Sequence, residues 1–213
     1  MGKKKHLEKI ASLFEKSPVV SSDSISRIVK SEKQASRYGK QLTRNLILSG
    51  RVKRLSKGCY TAHEDPSLAV FCFKPAYLGL QDAISFHNLW EQETVPVIIT
   101  ARKARPGLRR VIGANALVRR IDRKYFFGFE YKKQGDFYLP FSDIEKTFID
   151  MIYFRQRMDK HLISSFREKI DKKKLKRYLG AYPESLRRLA QYKTNTCSPA
   201  HCKRPQKALY RSK

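Results

Sequence analysis

Lys33, Arg37, Lys40 and Arg44 recur three or four residues apart, the spacing that stacks side chains on one face of a helix. Ala35, Tyr38, Leu42 and Leu46 share the same periodicity and fall on the opposite arc. No acid interrupts the cationic row. Like charges stacked in this way repel by a few tenths of a kcal/mol per pair, a cost that a surface kept merely soluble avoids by interleaving Glu with Lys. A row of phosphates relieves the repulsion. Gln34, Ser36, Gln41 and Asn45 flank the row and carry the hydroxyl and amide groups that read base edges, while the Lys and Arg side chains suit phosphates or guanine.

A second cationic set comprises Arg102, Lys103, Arg105, Arg109 and Arg110, followed by Arg119, Arg120, Arg123 and Lys124. Its arginines are capable of bidentate contacts, and it is expected to meet a partner protein or DNA. Catalytic groups are harder to find. Asp136, Asp143 and Glu145 are close in sequence, as the carboxylates of a metal-dependent nuclease would be. Yet Lys146 directly follows Glu145, which breaks the same-face alternation of a Glu-x-Lys strand. Asp143 and Glu145 also open a predicted helix, where the dipole alone favours carboxylates. His87 lies on an apolar helical stripe and reads as a hydrogen-bonded core histidine. Cys197, His201 and Cys202 have no second ligand pair at zinc-finger spacing. Gly-rich phosphate loops and nucleophile elbows are missing too. We therefore expect no enzyme activity, metal or cofactor.

The elements around the first cationic row form an ordered series. Leu7, Ile10, Ala11 and Phe14 predict a first helix over about 4–16, before Pro18. Ser22 or Asp23 caps a short second helix with Ile25, Ile28 and Val29 inward. Ser31 and Gln34 form a capping box for the third, which ends at Gly50. Residues 51–55 and 59–61 then predict two strands joined by a turn at Ser56-Lys57-Gly58, with Lys53, Arg54 and Lys57 near its tip. Three helices and a basic hairpin in this order predict a winged helix-turn-helix over residues 1–63. Duplex DNA suits it better than RNA, because a helix enters the major groove of B-form DNA but not that of an A-form helix.

Beyond it, a helix is predicted from Tyr77 to Gln92, with Leu80, Ala83, Ile84, His87 and Trp90 inward. Strands follow at Val95 to Ala101, Ala116 to Ile121, Tyr125 to Tyr131 and Phe137 to Leu139. Ser142 and Glu145 form a capping box for a further helix. Residues 64–193 thus predict a small α/β domain with C-terminal helices, and residues 194–213 a basic tail. The expected fold class is α+β.

Composition fits this division. The 213 residues carry a net charge of +27, with excesses of +11 in residues 1–63, +2 in 64–154 and +14 in 155–213. Such a charge calls for a polyanionic partner, while 41% hydrophobic residues exclude a wholly disordered basic chain. The longest apolar runs, Leu68 to Phe73 and Val95 to Ala101, are far shorter than the roughly 20 residues of a membrane helix. No apolar core of a secretory signal follows the basic start, and the four cysteines are too scattered for a disulfide framework. A cytoplasmic protein with reduced thiols and no membrane partner is expected.

Taken in order, the basic N-terminal module, Tyr77-Leu-Gly-Leu-Gln-Asp-Ala-Ile-Ser-Phe-His-Asn-Leu-Trp-Glu-Gln92, Val95-Pro-Val-Ile-Ile-Thr-Ala101, Tyr125-Phe-Phe-Gly-Phe129 and Asp143-Ile-Glu-Lys-Thr-Phe-Ile-Asp150 resemble the AbiEi-type antitoxins of type IV abortive-infection toxin–antitoxin systems. The resemblance spans about residues 5–193. It implies a transcriptional autorepressor that binds inverted repeats at a promoter and opposes a nucleotidyltransferase-type toxin through its C-terminal domain. The positive excess of residues 155–213 departs from that pattern. An RNA- or ribosome-binding protein is the alternative reading of the charge, and a metal-dependent nuclease the enzymatic one.

Charge of this size has a measurable consequence. If about six to ten phosphates are neutralised, affinity for duplex DNA falls roughly 10³–10⁵-fold between 50 and 200 mM salt. A fluorescence-anisotropy titration across that range checks it, and a flat response assigns the positive charge to another task.

Overall fold

The computed structural model describes residues 6–30, 35–92 and 94–195, the side chains of Ala35, Ser36 and Asn195 excepted. The described residues form a mixed α+β structure with two sheets. Among the described residues no helix is long and apolar enough to cross a membrane.

Helix α1 (Leu7–Lys16) buries Ile10 and Phe14, and strand β1 (Val20–Ser21) follows. Ser21, not Ser22 or Asp23, caps helix α2 (Ser22–Ile28), its hydroxyl accepting from the Ser24 amide at 3.1 Å. Helix α3 (Ala35–Leu48) leads through Gly50, whose φ of +72° is the left-handed stop expected there, into strands β2 (Lys53–Ser56) and β3 (Cys59–Thr61). Strand β1 pairs with β3, so the sheet has three strands ordered β1-β3-β2 rather than the two expected. Two residues are too few to leave a periodic signal. Ile10, Phe14, Val20, Ile25, Val29, Leu42, Leu46 and Val52 form the core between these helices and the sheet.

The second sheet has six strands: β4 (Ala76–Leu78), β5 (Val97–Thr100), β6 (Gly107–Val111), β7 (Ala114–Arg120), β8 (Phe129–Gln134) and β9 (Phe137–Ser142). Their order is β6-β7-β5-β4-β9-β8. Antiparallel hairpins β6–β7 and β8–β9 form its two edges, and β5–β7 and β4–β9 run parallel. One face carries helices α5 (Ile144–Tyr153), α6 (Lys160–Lys169), α7 (Lys172–Leu179) and α8 (Glu184–Asn195), over a core that includes Tyr77, Ile99, Phe148 and Phe166. The other face is covered by a 3-10 helix, Pro66–Phe73. Leu55 of β2 joins Leu68, Val70, Ile98, Val111 and Phe141 there, so the hairpin and the second sheet share one apolar cluster.

Several expectations need correction. The predicted helix from Tyr77 to Gln92 is instead β4 followed by the short helix α4 (Gln81–Phe86). Its apolar positions do turn inward, except that Trp90 is 36% exposed. Tyr77 and Leu78 are buried on opposite faces and bond to β5 on one side, which a helical stripe cannot satisfy. Gly79 marks the break: a Cβ there would sit 2.6 Å from Cδ1 of Ile99. Strand β6 was hidden by its arginines, and β8 begins later than Tyr125 because Arg123–Tyr125 forms a 3-10 turn. Asp143, not Ser142, caps α5, accepting from the Lys146 amide at 2.8 Å. The proposed box of Ser31 and Gln34 lies outside the described residues, as does the tail from residue 196.

Asp82, in the first turn of α4, is 8% exposed, and its Oδ2 has no hydrogen-bond partner among the described residues. Burial pushes its carboxyl up to about 7, against a hydrogen bond from the backbone of Val97. The folded chain therefore holds a proton that the unfolded chain releases between about pH 4 and 7, and stability falls as pH rises through that window. At roughly 1.4 kcal/mol per pH unit, the cost is on the order of 4 kcal/mol above pH 7. Asp82→Asn is expected to be the more stable protein at pH 8 and to lose most of this slope. Urea denaturation at pH 5 and pH 8 measures both.

Candidate nucleic-acid interface

Helix α3 is held by its apolar side. Leu42 and Leu46 are buried, and Tyr38 meets His6 of the α1 end edge to face at 6.0 Å. Gly39 lets α2 approach: a Cβ at that position would lie 3.4 Å from Val29 and 3.6 Å from Ile25. Thr43, buried beside it, returns its hydroxyl to the Gly39 carbonyl at 2.8 Å. With one side fixed in this way, Arg37, Lys40, Gln41, Arg44 and Asn45 are all exposed. None of the three cations has an ion-pair partner among the described residues. Lys33, Gln34 and the Ser36 side chain, which complete the expected set, lie outside the described ones.

The hairpin carries the other three expected contacts. Lys57 is exposed at its turn, next to Gly58 with a φ of +78°. That turn is fastened to the start of α2, because the Ser22 amide donates to the Gly58 carbonyl at 2.8 Å. Arg54 is exposed, and its Nε donates to the Ser56 carbonyl at 3.3 Å. Lys53 differs. It is half-buried and engages Glu64, whose side chain is 82% exposed. Such a pair at the surface is worth little and yields readily to a phosphate.

The second cationic set does not form one patch. Arg102, Lys103 and Arg105 lie in the loop before β6, with Arg109 donating to the Arg105 carbonyl at 2.9 Å. Register then divides the rest. Arg110 opposes Asn115, and Arg109 opposes Ala116, so the two arginines face opposite sides of the sheet. Arg119 shares the side of Arg110 and is half-buried, its Nε without a partner among the described residues, whereas Arg120 shares the side of Arg109. Arg123 and Lys124 are exposed on their 3-10 turn, with the Lys124 ammonium 4.9 Å from the Tyr125 ring centre.

The carboxylates considered for metal chemistry are committed elsewhere. Besides capping α5, Asp143 accepts from Tyr178 at 2.8 Å and pairs with Lys174 at 3.0 Å. Glu145 is buried, accepts from the Asp171 amide at 2.8 Å and pairs with the same lysine at 3.1 Å. These ion pairs outweigh desolvation and raise the Lys174 ammonium above its usual range. Asp136 is exposed at the β8–β9 turn. His87 lines a polar cleft of about 330 Å³ together with Asp143, Glu145 and Lys174, but its Nε2 donates to the Ser142 carbonyl at 2.7 Å and burial lowers its basicity. It is the hydrogen-bonded histidine expected.

One group escaped the sequence reading. Lys146 and Asp150, one turn apart on α5, form an ion pair with 0% exposure on both sides. Tyr77 donates to Asp150 at 2.7 Å, and Lys146 donates to Tyr182 at 3.1 Å. The rings of Tyr77, Phe127 and Tyr182 surround the ammonium at 5.4, 5.5 and 5.8 Å. Burial drives the lysine toward its neutral form and the carboxyl up, while the pairing opposes both. The signal was present as a Lys and an Asp at i and i+4 inside an otherwise apolar stripe.

No family model matches the chain, and no curated protein is similar to it in sequence. Among solved structures it is similar to the RV2827C protein from Mycobacterium tuberculosis, with a TM-score of 0.57 and 13% identity, over 90% of this chain and 75% of that one. At that identity the likeness is one of fold.

The buried pair makes an energetic prediction. Asp150→Ala leaves the buried Lys146 ammonium without a counter-ion and is expected to cost about 3–5 kcal/mol. Replacing both residues at once, Lys146→Met with Asp150→Leu, is expected to cost much less than the sum of the two single changes. Chemical denaturation of the three variants gives the coupling energy.

Proposed function

We propose that the chain is a DNA-binding transcriptional regulator of the winged helix-turn-helix type, with α3 in the major groove and the β2–β3 hairpin as its wing. The observation that carries this reading is the exposed face of α3, where Arg37, Lys40 and Arg44 stand without ion-pair partners among the described residues, beside Gln41 and Asn45. A cationic face left unanswered inside the molecule, on a helix whose opposite face is locked by Gly39, Leu42 and Leu46, presents charge at a fixed pitch to something outside. Phosphates on both sides of a groove answer it, and the two amide side chains are placed to read bases between them. Lys57 and Arg54 supply the flanking backbone contacts.

The resemblance to AbiEi-type antitoxins supports a narrower role. On that reading the protein represses its own operon by binding inverted repeats, and its second half opposes a nucleotidyltransferase-type toxin in the cytoplasm. Arg102, Arg105, Arg109 and the Arg119 to Lys124 segment are then candidate surfaces for that partner or for further DNA. No catalytic step is assigned to the chain.

The test uses duplex DNA from upstream of the protein's own gene, with structured RNA as competitor. Arg37→Ala and Arg44→Ala are each expected to weaken operator binding by roughly 1–3 kcal/mol where the side chain contacts a base, and by less at a phosphate. Unchanged affinity in the double variant, or preference for the RNA, overturns the assignment of α3.

A further inference from the structure

We propose that two copies of the chain pair through strand β8, joined antiparallel and edge to edge into one continuous sheet. The six-stranded sheet ends in β6 and β8, each with a neighbouring strand on one side only. Strand β8 is laddered to β9 along its whole length, and among the described residues no other backbone hydrogen bond reaches it. An outer row of amides and carbonyls of this kind is a template for a further strand. Glu130, Tyr131, Lys132 and Lys133 are all exposed, so nothing in the described fold covers this edge. Strand β6 is equally unpaired on one side but differs in composition. Its charged residues are Arg109 and Arg110, with no acid. A second copy brought there meets cation with cation, which protects an edge. Strand β8 has an acid among its cations. Glu130 and Lys132 point to the same face and form an ion pair at 2.6 Å within one chain.

That charge pattern selects one register. A two-fold axis between antiparallel strands stands perpendicular to the sheet and keeps each face on its own side. A residue therefore opposes itself or one an even number of positions away. An axis at Glu130, Lys132 or Lys133 sets that residue against its own copy, and like charges directly opposed destabilise a sheet. Within the strand, only an axis at Tyr131 sets opposite charges together. Glu130 then opposes Lys132 of the second copy, and symmetry forms the pair twice. Tyr131 meets its own copy, and Phe129 lies opposite Lys133. Tyr138 of β9 is also exposed and stands across from Lys133 on the same face as Tyr131. The joint thus gathers two large side chains that a single chain leaves in solvent into a diagonal strip of tyrosines shared by both copies, and aromatic pairs across strands add to the ladder.

This inference stands apart from any nucleic-acid role, and its test needs none. Sedimentation velocity of the 213-residue chain is measured over a concentration series at roughly 150 mM salt, where a screening length of about 8 Å mutes the repulsion between two copies of net charge +27. A monomer–dimer equilibrium is expected, and a monomer at every concentration overturns the proposal. Glu130→Lys or Lys132→Glu alone turns both attractive pairs into repulsive ones, and each is expected to raise the dissociation constant about tenfold or more. The double variant restores opposite charges and is expected to return close to the wild-type constant. A double variant as weak as the single ones, or single variants as tight as the wild type, overturns the pairing. Cross-linking reads the register. Opposed residues of an antiparallel pair have Cα atoms about 4.5–5.5 Å apart, within the span of a disulfide. Under mild oxidation, peptide mapping of Tyr131→Cys is expected to show a link between the two copies of position 131, and Lys132→Cys no link between copies of position 132. The reverse result moves the axis and overturns the register. Wild-type sedimentation decides the dimer even where a variant folds poorly.

Discussion

An ammonium group removed from water must be answered on every side, and the way Lys146 is answered organises the second half of the molecule. Its charge is met by Asp150 one turn along the same helix, a second proton by the Tyr182 hydroxyl, and its faces by three aromatic rings. Each of those partners comes from a different place in the chain. Tyr77 lies on a central strand, Phe127 in the segment before β8, and Tyr182 between α7 and α8. A buried ion pair is poor evidence of net stability, because desolvation offsets most of the attraction. It is strict about geometry, however: strand, loop and helical region must all arrive before the charge is tolerable.

Neighbouring polar contacts extend this constraint outward. Asp143 and Glu145, three residues and one residue before Lys146, cap the start of α5 and of α7 respectively, and Lys174 binds both of them. Lys169 of α6 donates to the His87 and Asn88 carbonyls beyond α4, at 3.0 and 3.1 Å. The helical region that holds much of the positive excess is thus fastened by a few of its lysines, while Lys172, Lys173, Lys176 and Arg177 remain exposed.

Legibility in the sequence followed the range of the interactions. The first three helices and the hairpin were readable because local signals define them: apolar spacing, the left-handed stop at Gly50, and the turn at Gly58. The exposed face of α3 was readable for the same reason, since periodicity places Arg37, Lys40 and Arg44 opposite Leu42 and Leu46 whatever surrounds them. Failures came where distant segments decide. Tyr77 and Leu78 carry residues that suit a buried helix as well as a central strand, and only β5 and β9 settle the matter. Strand β6 reads as a soluble loop because an edge strand with exposed faces needs few apolar residues. The pairing of Lys146 with Asp150 was visible as a spacing, but its burial depends on Tyr77 and Tyr182, which are far away in sequence.

Leu55 adds a different consequence. It is a hairpin residue, yet the other fully buried members of its cluster all come from beyond residue 67. A cut between the two parts would leave this leucine, with Val19 beside it, facing solvent on one fragment and a bared apolar floor on the other. Neither piece would be cleanly excised: each would carry a sticky scar, and fragments made for dissection would tend to self-associate unless that seam were first made polar.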